Sequence, residues 1–180
     1  MTDLLDIKKE DIKVLISYED LVKRIKEVAK QINQDFDGDV KVFCVLKGAV
    51  MFTTELVKHL DMPLTLDFIR LSSYGNDFKS TGRVSAVDIS VPDLNGKNVL
   101  IVEDIIDTGH TAKFLLDFIN ANFKTKSTKF CAMLDKKCSR QTDVDADYSC
   151  FEIDNKFIVG FGLDYKDYYR NIPYIGYVEV

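Results

Sequence analysis

Short apolar runs alternate with amphipathic helical segments along most of this chain, and this alternation restricts its fold more than any other feature. The runs at 40–46, 64–71, 84–89, 99–102 and 129–134 predict buried strands. A helix is predicted after Ser17, which begins a capping-box-like Ser-Tyr-Glu-Asp, and two more are predicted near 50–60 and 112–119. Strands that are apolar without interruption are typical of parallel sheets covered by helices. The sequence therefore predicts an α/β fold with a mostly parallel central sheet flanked by helices.

Length, composition and charge narrow the class further. The chain has 180 residues, of which 46% are hydrophobic and 29% charged, as in an ordinary single domain. It carries 24 Lys and Arg against 29 Asp and Glu, a net charge of −5. This balance disfavours a protein that binds nucleic acids or anionic membranes through a general basic surface.

Cysteine and histidine usage indicates a reducing compartment and no zinc site. The four cysteines form no C-x-x-C pair, and there are only two histidines. A disulfide framework is not expected in a domain of this size, so we expect a cytoplasmic protein. The first eleven residues lack an apolar core, and no apolar run approaches the ~18 residues of a membrane helix. We therefore expect neither a signal peptide nor membrane association.

The polar segment after the apolar run 99–102 is the strongest candidate for chemistry. It contains the carboxylates Glu103, Asp104 and Asp107, followed by Thr108, Gly109, His110 and Thr111 at a predicted helix N-terminus. Ligands of such sheets bind beyond the carboxyl ends of the strands. Backbone N–H groups at a glycine turn suit a phosphate, whereas carboxylates suit sugar hydroxyls, a hard cation or a transferable proton. The two halves together describe a phosphorylated sugar, although on spacing alone a solvated loop that caps a helix is an equal alternative.

The run VLIVEDIIDTGHT closely resembles the signature of the purine phosphoribosyltransferases that bind phosphoribosyl pyrophosphate. Three more blocks are similar to the 6-oxopurine (hypoxanthine-guanine) members of this family: VLKGAVMF, FIRLSSYGND with STG, and KFIVGFGLDYKDYYRN. The resemblance spans about residues 40–171. It implies a type I phosphoribosyltransferase fold, with 1–180 as one domain. It also implies a mobile catalytic loop over about 72–83 and a small hood subdomain from about 150–180 with part of the N-terminus.

The resemblance implies a purine salvage reaction. Hypoxanthine or guanine would combine with phosphoribosyl pyrophosphate to give IMP or GMP and pyrophosphate. Asp107 matches the general base near purine N7, and Glu103 and Asp104 match the acids at the ribose hydroxyls. The 5′-phosphate loop corresponds to Thr108, Gly109, His110 and Thr111, although many relatives have another residue type at His110.

The pyrophosphate and metal positions are also implied by the resemblance. Lys47 and Gly48 match the pyrophosphate loop, a peptide that can be cis in relatives, and Arg170 matches a further pyrophosphate contact. Asp164 matches the ligand of a second magnesium ion. Glu103 and Asp104, which can accept from the ribose hydroxyls directly or through magnesium-bound water, are the other candidate metal residues. Mg²⁺ is the implied cofactor, since carboxylate oxygens are its preferred protein ligands.

The purine pocket and the lid complete the implied site. Lys136 matches the lysine that donates to the purine 6-oxo group, which would disfavour adenine, but Lys137 is adjacent and a shift of one residue stays open. Phe157 matches the aromatic ring that stacks on the base, and Ile158 matches a backbone contact to the base edge; ordinary core packing is the alternative for both. Ser73 and Tyr74 match the loop that closes over the site and excludes water.

Two rival functions remain open from the sequence. Some proteins with this fold are regulators that bind nucleotide together with RNA or DNA, but the acidic pair, the base and the lysine are all present here. An enzyme that prefers xanthine is the second alternative, since the base contacts that would distinguish it are mostly backbone. By resemblance we expect small-molecule substrates only, no nucleic-acid partner, and a homodimer or homotetramer.

Overall fold

The computed structural model describes residues 7–73, 84–88 and 91–178. The strands are β1 (Lys13–Ile16), β2 (Val40–Leu46), β3 (Leu64–Ser73), β4 (Val84–Asp88), β5 (Asn98–Ile106), β6 (Ser127–Asp135), β7 (Tyr148–Glu152), β8 (Phe157–Val159) and β9 (Ile175–Val178). The helices are α1 (Tyr18–Asp35), α2 (Val50–Val57) and α3 (His110–Asn122), with short 3-10 turns at Lys9–Asp11 and Lys137–Ser139. None of the helices in these ranges is both long and apolar enough to cross a bilayer.

A six-stranded sheet in the order β4-β3-β2-β5-β6-β7 forms the centre of the molecule. Strands β3, β2, β5, β6 and β7 are parallel, and β4 pairs antiparallel at one edge. The chain proceeds from β2 outward to β3, and from β5 outward in the opposite direction to β6. The strand order therefore reverses between β2 and β5, which places their carboxyl ends side by side at the point where such sheets bind ligands. The predicted α/β class with a mostly parallel sheet is confirmed.

Alternate residues of the central strands build two separate apolar layers. Leu100 and Val102 of β5 join α1 and α2 on one face, whereas Val99 and Ile101 join α3 on the other. This division follows from the two-residue period of a strand. Since both faces are covered by helices, the strand must be apolar throughout, as the sequence indicated.

Local signals set the position of α1. The Ser17 hydroxyl oxygen accepts a hydrogen bond from the Asp20 backbone N–H at 3.1 Å, so it caps the helix as predicted. The buried residues of this helix are the five expected from its periodicity: Leu21, Ile25, Val28, Ala29 and Ile32. Helix α2 ends at Val57 and is shorter than its pattern predicted.

A second sheet joins the two ends of the described chain. Strand β9 pairs antiparallel with β1 on one side and with β8 on the other. Ile12, Val159 and Ile172 form its own buried cluster, and the Tyr169 hydroxyl donates to the Ile7 carbonyl oxygen at 2.5 Å. On the side of the main sheet, Ile158 and Ile175 belong to the α1 layer. The small sheet is thus packed against the same face as α1.

Strands β5 and β3 extend further toward the site than the sequence predicted. Strand β5 continues through Glu103 and Asp104 to Ile106, whereas these acids were expected in a turn. The ladder to β6 continues beside them, with Glu103 opposite Ala132 and Ile106 opposite Asp135, so backbone pairing extends past the apolar run. Strand β3 likewise includes Ser73 at its end, which was expected in a loop. Most of the predicted loop, including Tyr74, lies outside the described residues.

Candidate active site

The ends of β2 and β5 touch at Gly48 and Asp104. A Cβ atom added to Gly48 would lie 1.6 Å from Asp104 Oδ2, so no larger residue fits while Asp104 keeps its place. The Leu46–Lys47 peptide bond is cis. The sequence pointed instead to the next peptide bond, between Lys47 and Gly48. The strand reversal thus brings the Lys47–Gly48 segment against the acidic pair.

The acidic pair itself is held in an environment that disfavours its charge. Glu103 is buried, and burial together with the neighbouring Asp104 raises the pKa of its carboxyl well above the usual range. Burial also raises the pKa of Asp104 to about 6. The Ile105 N–H, which donates to Asp104 Oδ1 at 2.9 Å, acts in the opposite direction and lowers this pKa. Nearby Arg170 lowers this pKa and Asp164 raises it. A bound cation or a hydroxyl donor would compensate the charge that burial disfavours at these carboxyls.

The segment that follows forms a cradle at the start of α3. Residues 103–109, Thr111 and Ala112 line a cavity of ≈ 240 Å³. Gly109 is the N-cap of the helix with φ 85°, a left-handed conformation that favours glycine, and no side chain in the described part of the chain caps the helix there. The first N–H groups of a helix lack intrahelical acceptors and attract anions. The N-cap is Gly109 and not Asp107, so the carboxylate of Asp107 is not used to cap this helix.

The segment after β6 contacts this cradle through Arg140 and Gln141, for which no sequence motif predicted a role. The Gln141 N–H donates to the Thr108 carbonyl oxygen at 2.9 Å, and Gln141 Oε1 lies 3.2 Å from His110 Nε2. Arg140 forms an ion pair with Asp135 in which both side chains are mostly buried, and its Nε is 3.3 Å from the Asp107 carbonyl oxygen. A Cβ on Gly109 would collide with Thr142 and Arg140, so this segment fixes the position of the loop. In the sequence, this pair could have been noticed as an Asp directly before the predicted purine lysine and an Arg four residues after it.

The structure distinguishes the two adjacent lysines after β6. Lys136 Nζ is 3.8 Å from Asp107 Oδ1, and only 12% of its side chain is exposed. Lys137 is 56% exposed and pairs instead with Glu152 at 2.9 Å. Lys136 therefore lies beside the proposed base, in the register that the resemblance favoured.

A network of four charges joins the β2 loop to the C-terminal segment. Lys47 Nζ is 2.9 Å from Asp167 Oδ1, and Arg170 Nη2 is 3.1 Å from the same oxygen. Arg170 Nη2 is also 2.6 Å from Asp164 Oδ1, while its Nη1 donates to the Gly162 carbonyl oxygen at 2.8 Å. The network brings together three predicted residues, Lys47, Asp164 and Arg170. Asp167 is an addition, since no sequence motif assigned it a role.

The predicted base-contacting residues lie on β8 of the small sheet. Ile158 is buried, as a core residue would be. Phe157 is 43% exposed and packs edge-on against Tyr165 with ring centroids 5.6 Å apart. An aromatic ring with this exposure is available for stacking, which disfavours the core-packing alternative for Phe157. Of the lid pair, Ser73 ends β3, and Tyr74 lies outside the described residues.

Comparison with known proteins agrees with this geometry. A family model described as "Phosphoribosyl transferase domain" matches residues 16–166. The chain belongs to the phosphoribosyltransferase family. Within this family it is 42% identical over 174 residues to a hypoxanthine-guanine phosphoribosyltransferase of Streptococcus thermophilus, covering 96% of each chain. It is 41% identical to the Bacillus subtilis protein of the same name, over 95% of this chain and 96% of that one.

Solved structures of the family show the same fold. A hypoxanthine-guanine phosphoribosyltransferase from Bacillus anthracis superposes with a TM-score of 0.87 at 44% identity, covering 93% of this chain and 98% of that one. A hypoxanthine phosphoribosyltransferase from Staphylococcus aureus gives a TM-score of 0.89 at 37% identity, covering 94% and 93%. The parallel sheet flanked by helices is therefore a type I phosphoribosyltransferase fold.

Proposed function

We propose that this chain is a purine salvage enzyme. It would convert hypoxanthine and guanine with phosphoribosyl pyrophosphate to IMP and GMP, releasing pyrophosphate. The observation that carries this proposal is the meeting of Gly48 and Asp104 at the strand reversal. It unites, in one place, a cationic loop, an acidic pair and a helix N-terminus, which are the groups that pyrophosphate, ribose hydroxyls and a 5′-phosphate each require. Relatives named for this reaction match the chain over nearly its whole length.

The base-side chemistry is assigned to Asp107 and Lys136. Asp107 would remove the ring proton near purine N7 as the purine attacks the anomeric carbon of the sugar. Lys136, 3.8 Å from Asp107, would donate to the 6-oxo group. Because adenine has an amino group at that position, the same lysine disfavours it. Phe157 would stack on the base and the Ile158 backbone would contact its edge.

The sugar-side chemistry is assigned to the strand ends. Glu103 and Asp104 would accept hydrogen bonds from the ribose hydroxyls, and Thr108 to Thr111, including Gly109 and His110, would bind the 5′-phosphate. Lys47, Gly48 and Arg170 would bind pyrophosphate. Each of these groups would hold the substrate with its anomeric carbon facing the purine, so that binding supplies the orientation needed for transfer.

The charges around the pyrophosphate position favour a magnesium requirement. Lys47 and Arg170 are accompanied by the carboxylates of Asp104, Asp164 and Asp167, so the protein itself offers no excess of positive charge there. Among the described residues, no cluster of three or more candidate ligands forms a preassembled metal site. Mg²⁺ is commonly held by one or two carboxylates plus substrate phosphates, and Glu103, Asp104 and Asp164 fit that role. When bound, the ion would neutralise the charge of the leaving pyrophosphate.

Several features of the whole protein are part of the same proposal. The chain would act as one domain whose hood is the small sheet, with Ser73 and Tyr74 in a lid that excludes water. It would form a homodimer or homotetramer. It would act in the cytoplasm, and the four free cysteines support this location.

Steady-state turnover with phosphoribosyl pyrophosphate and Mg²⁺ tests the function. Hypoxanthine, guanine, xanthine and adenine are assayed in parallel, with EDTA as a control. We expect magnesium-dependent turnover of hypoxanthine and guanine, and a preference for xanthine would change only the base assignment. A folded protein without turnover of any base would contradict the proposal and support the regulator, which salt-dependent binding of RNA or DNA would then test.

A further inference from the structure

The carboxylate of Asp167 contacts both cations that are proposed to bind pyrophosphate. Its Oδ1 is 2.9 Å from Lys47 Nζ and 3.1 Å from Arg170 Nη2. These contacts lower the pKa of the Asp167 carboxyl, which is therefore ionised at neutral pH. Oδ1 of Asp167 therefore occupies the two cationic groups that a pyrophosphate oxygen would need to contact.

The backbone around Asp167 fixes this carboxylate in place. Tyr165 and Tyr168 exchange backbone hydrogen bonds of 3.0 and 2.9 Å, which close a two-residue turn. Lys166 and Asp167 occupy its centre with φ angles of 51° and 67°, as a type I′ turn requires. The Asp167 N–H also donates to Asp164 Oδ2 at 2.8 Å. The short Asp side chain therefore extends from a well-defined turn toward Lys47 and Arg170.

Both terminal nitrogens of Arg170 are directed at groups of the protein. Nη2 faces the carboxylates of Asp164 and Asp167, and Nη1 donates to the Gly162 carbonyl oxygen. A phosphate oxygen that approaches Nη2 must displace one of the two carboxylates. The Asp164 contact is the shorter, at 2.6 Å, and its side chain is 31% exposed, whereas that of Asp167 is 67% exposed. Asp167 is the partner that is more easily displaced, since exposed ion pairs contribute little.

We propose that Asp167 is an internal competitor of pyrophosphate for Lys47 and Arg170. It lowers the affinity for the pyrophosphate group, is displaced when that group binds, and regains the two cations as pyrophosphate leaves. The inference rests on the proposed function, because it takes Lys47 and Arg170 as pyrophosphate ligands. Its consequence is faster product release at the expense of weaker binding, which makes Asp167 a residue that tunes affinity without contacting the reacting atoms.

Asp167→Asn tests this proposal with little risk to the fold. Asn has nearly the same shape and adopts left-handed backbone angles as readily as Asp, so the turn is retained. Glu152→Gln is the matched control: Glu152 is 63% exposed and pairs with Lys137 at 2.9 Å, nearly the geometry of the Asp167–Lys47 pair, but outside the site. Calorimetric binding of inorganic pyrophosphate with Mg²⁺ is the direct measurement, together with product inhibition by pyrophosphate and the KM values of both substrates.

We expect Asp167→Asn to tighten pyrophosphate binding and strengthen its product inhibition by about two- to fivefold, the range of an exposed ion pair. The KM for phosphoribosyl pyrophosphate should fall by a similar factor, with the KM for hypoxanthine unchanged and Glu152→Gln without effect. In a Lys47→Met background the gain from Asp167→Asn should shrink, because one of the released cations is missing.

Different results separate the possible failures. Unchanged or weaker pyrophosphate binding in Asp167→Asn, while the wild-type protein binds and turns over substrate, overturns the competitor role alone. Weaker binding that is restored by raising the Mg²⁺ concentration would instead make Asp167 a metal-site residue. If the wild-type protein binds no pyrophosphate and shows no turnover, the proposed function fails, and the competitor role fails with it.

Discussion

Asp107 and Lys136 illustrate how two side chains from different strand ends form one proposed chemical unit. Asp107 follows β5 and Lys136 follows β6, and the parallel pairing of these strands places them 3.8 Å apart. Lys136 is mostly buried and Asp107 is half exposed, so the acid remains accessible from the cavity while the lysine is held beside it. Their roles can be tested separately because only Asp107 would move a proton.

Asp107→Asn should reduce kcat by about 10²–10⁴-fold, the usual contribution of a general base. The amide keeps the size of the side chain, so binding of phosphoribosyl pyrophosphate should be retained. Pre-steady-state turnover together with ligand binding by calorimetry makes this measurement. Activity close to that of the wild type would remove Asp107 from the base role.

Lys136→Ala should lower kcat/KM for hypoxanthine and guanine by about 10–100-fold, the range for a hydrogen bond from a charged donor. Phosphoribosyl pyrophosphate should still bind, since Lys136 is not assigned to the sugar. Lys137→Ala is the control, and it should change little because Lys137 is exposed and pairs with Glu152. A larger loss in Lys137→Ala than in Lys136→Ala would shift the assignment by one residue.

Two of the close contacts between strands and loops help to position the site. One is the contact of the β2 loop with β5 at Gly48 and Asp104, and the other is the contact of the segment after β6 with the start of α3 at Gly109. In each case the small residue permits a close approach, and the neighbouring element supplies charged groups. These elements therefore act as a unit in which the loops are fixed by the strands.

Gly48→Ala should reduce kcat/KM for phosphoribosyl pyrophosphate by at least about tenfold, because the added methyl group overlaps Asp104 and forces its carboxylate out of place. We also expect a loss of about 1–3 kcal/mol in the free energy of unfolding from overpacking. Urea denaturation compares this loss with that in an Asp104→Ala background, where the overlap is relieved. An equal loss in both backgrounds would contradict the contact.

Arg140→Met should destabilise the protein by about 3–5 kcal/mol, since it leaves the Asp135 carboxylate buried without its partner. Replacing both residues, as Asp135→Leu with Arg140→Met, should recover much of this stability. Thermal unfolding of the single and double variants makes the comparison, with Lys137→Met as the exposed control. Similar losses in the single and double variants would show that the pair itself is unimportant.

The folded molecule buries the acidic pair Glu103 and Asp104 at the strand reversal, where burial favours the neutral form of each carboxyl. Glu103 and Asp104 lie where two halves of the sheet and the C-terminal segment meet, so no single element determines their environment. The folded protein binds protons at these carboxyls more tightly than the unfolded chain does. Stability should therefore decrease as pH rises between the unfolded and folded pKa values.

Asp104→Asn should make the protein more stable at pH 7 while reducing activity. The pKa of Asp104 rises from 3.8 to about 6 on folding, so the charged form destabilises the folded state above pH 6, by about 1–3 kcal/mol. The advantage of the variant should diminish as pH falls through this window and disappear near pH 4. Thermal unfolding from pH 4 to 8, without Mg²⁺ or substrate, tests it. A variant less stable than the wild type at pH 7 would contradict the assignment.

Much of the fold was predictable because it depends on local patterns. The α/β class follows from apolar runs that alternate with amphipathic segments, and the start of α1 follows from the Ser17 cap. The motif from Glu103 to Thr111 identified the cradle, since its residues are adjacent in sequence. The end of β5 was placed too early because polar side chains conceal a strand whose backbone pairing continues beside β6.

The sequence by itself determined the class of the fold, the family and the residues that carry the proposed chemistry. Only the tertiary structure decided that Gly48 meets Asp104, that Asp167 binds Lys47 and Arg170, and that Arg140 supports the loop between β5 and α3. Lys47 and Asp167 are 120 residues apart, and β1 pairs with β9 across nearly the whole chain. Periodicity and caps report each residue's immediate neighbours along the chain. Contacts between distant segments depend on the order and direction of the strands in the sheet. Local sequence patterns do not contain this information.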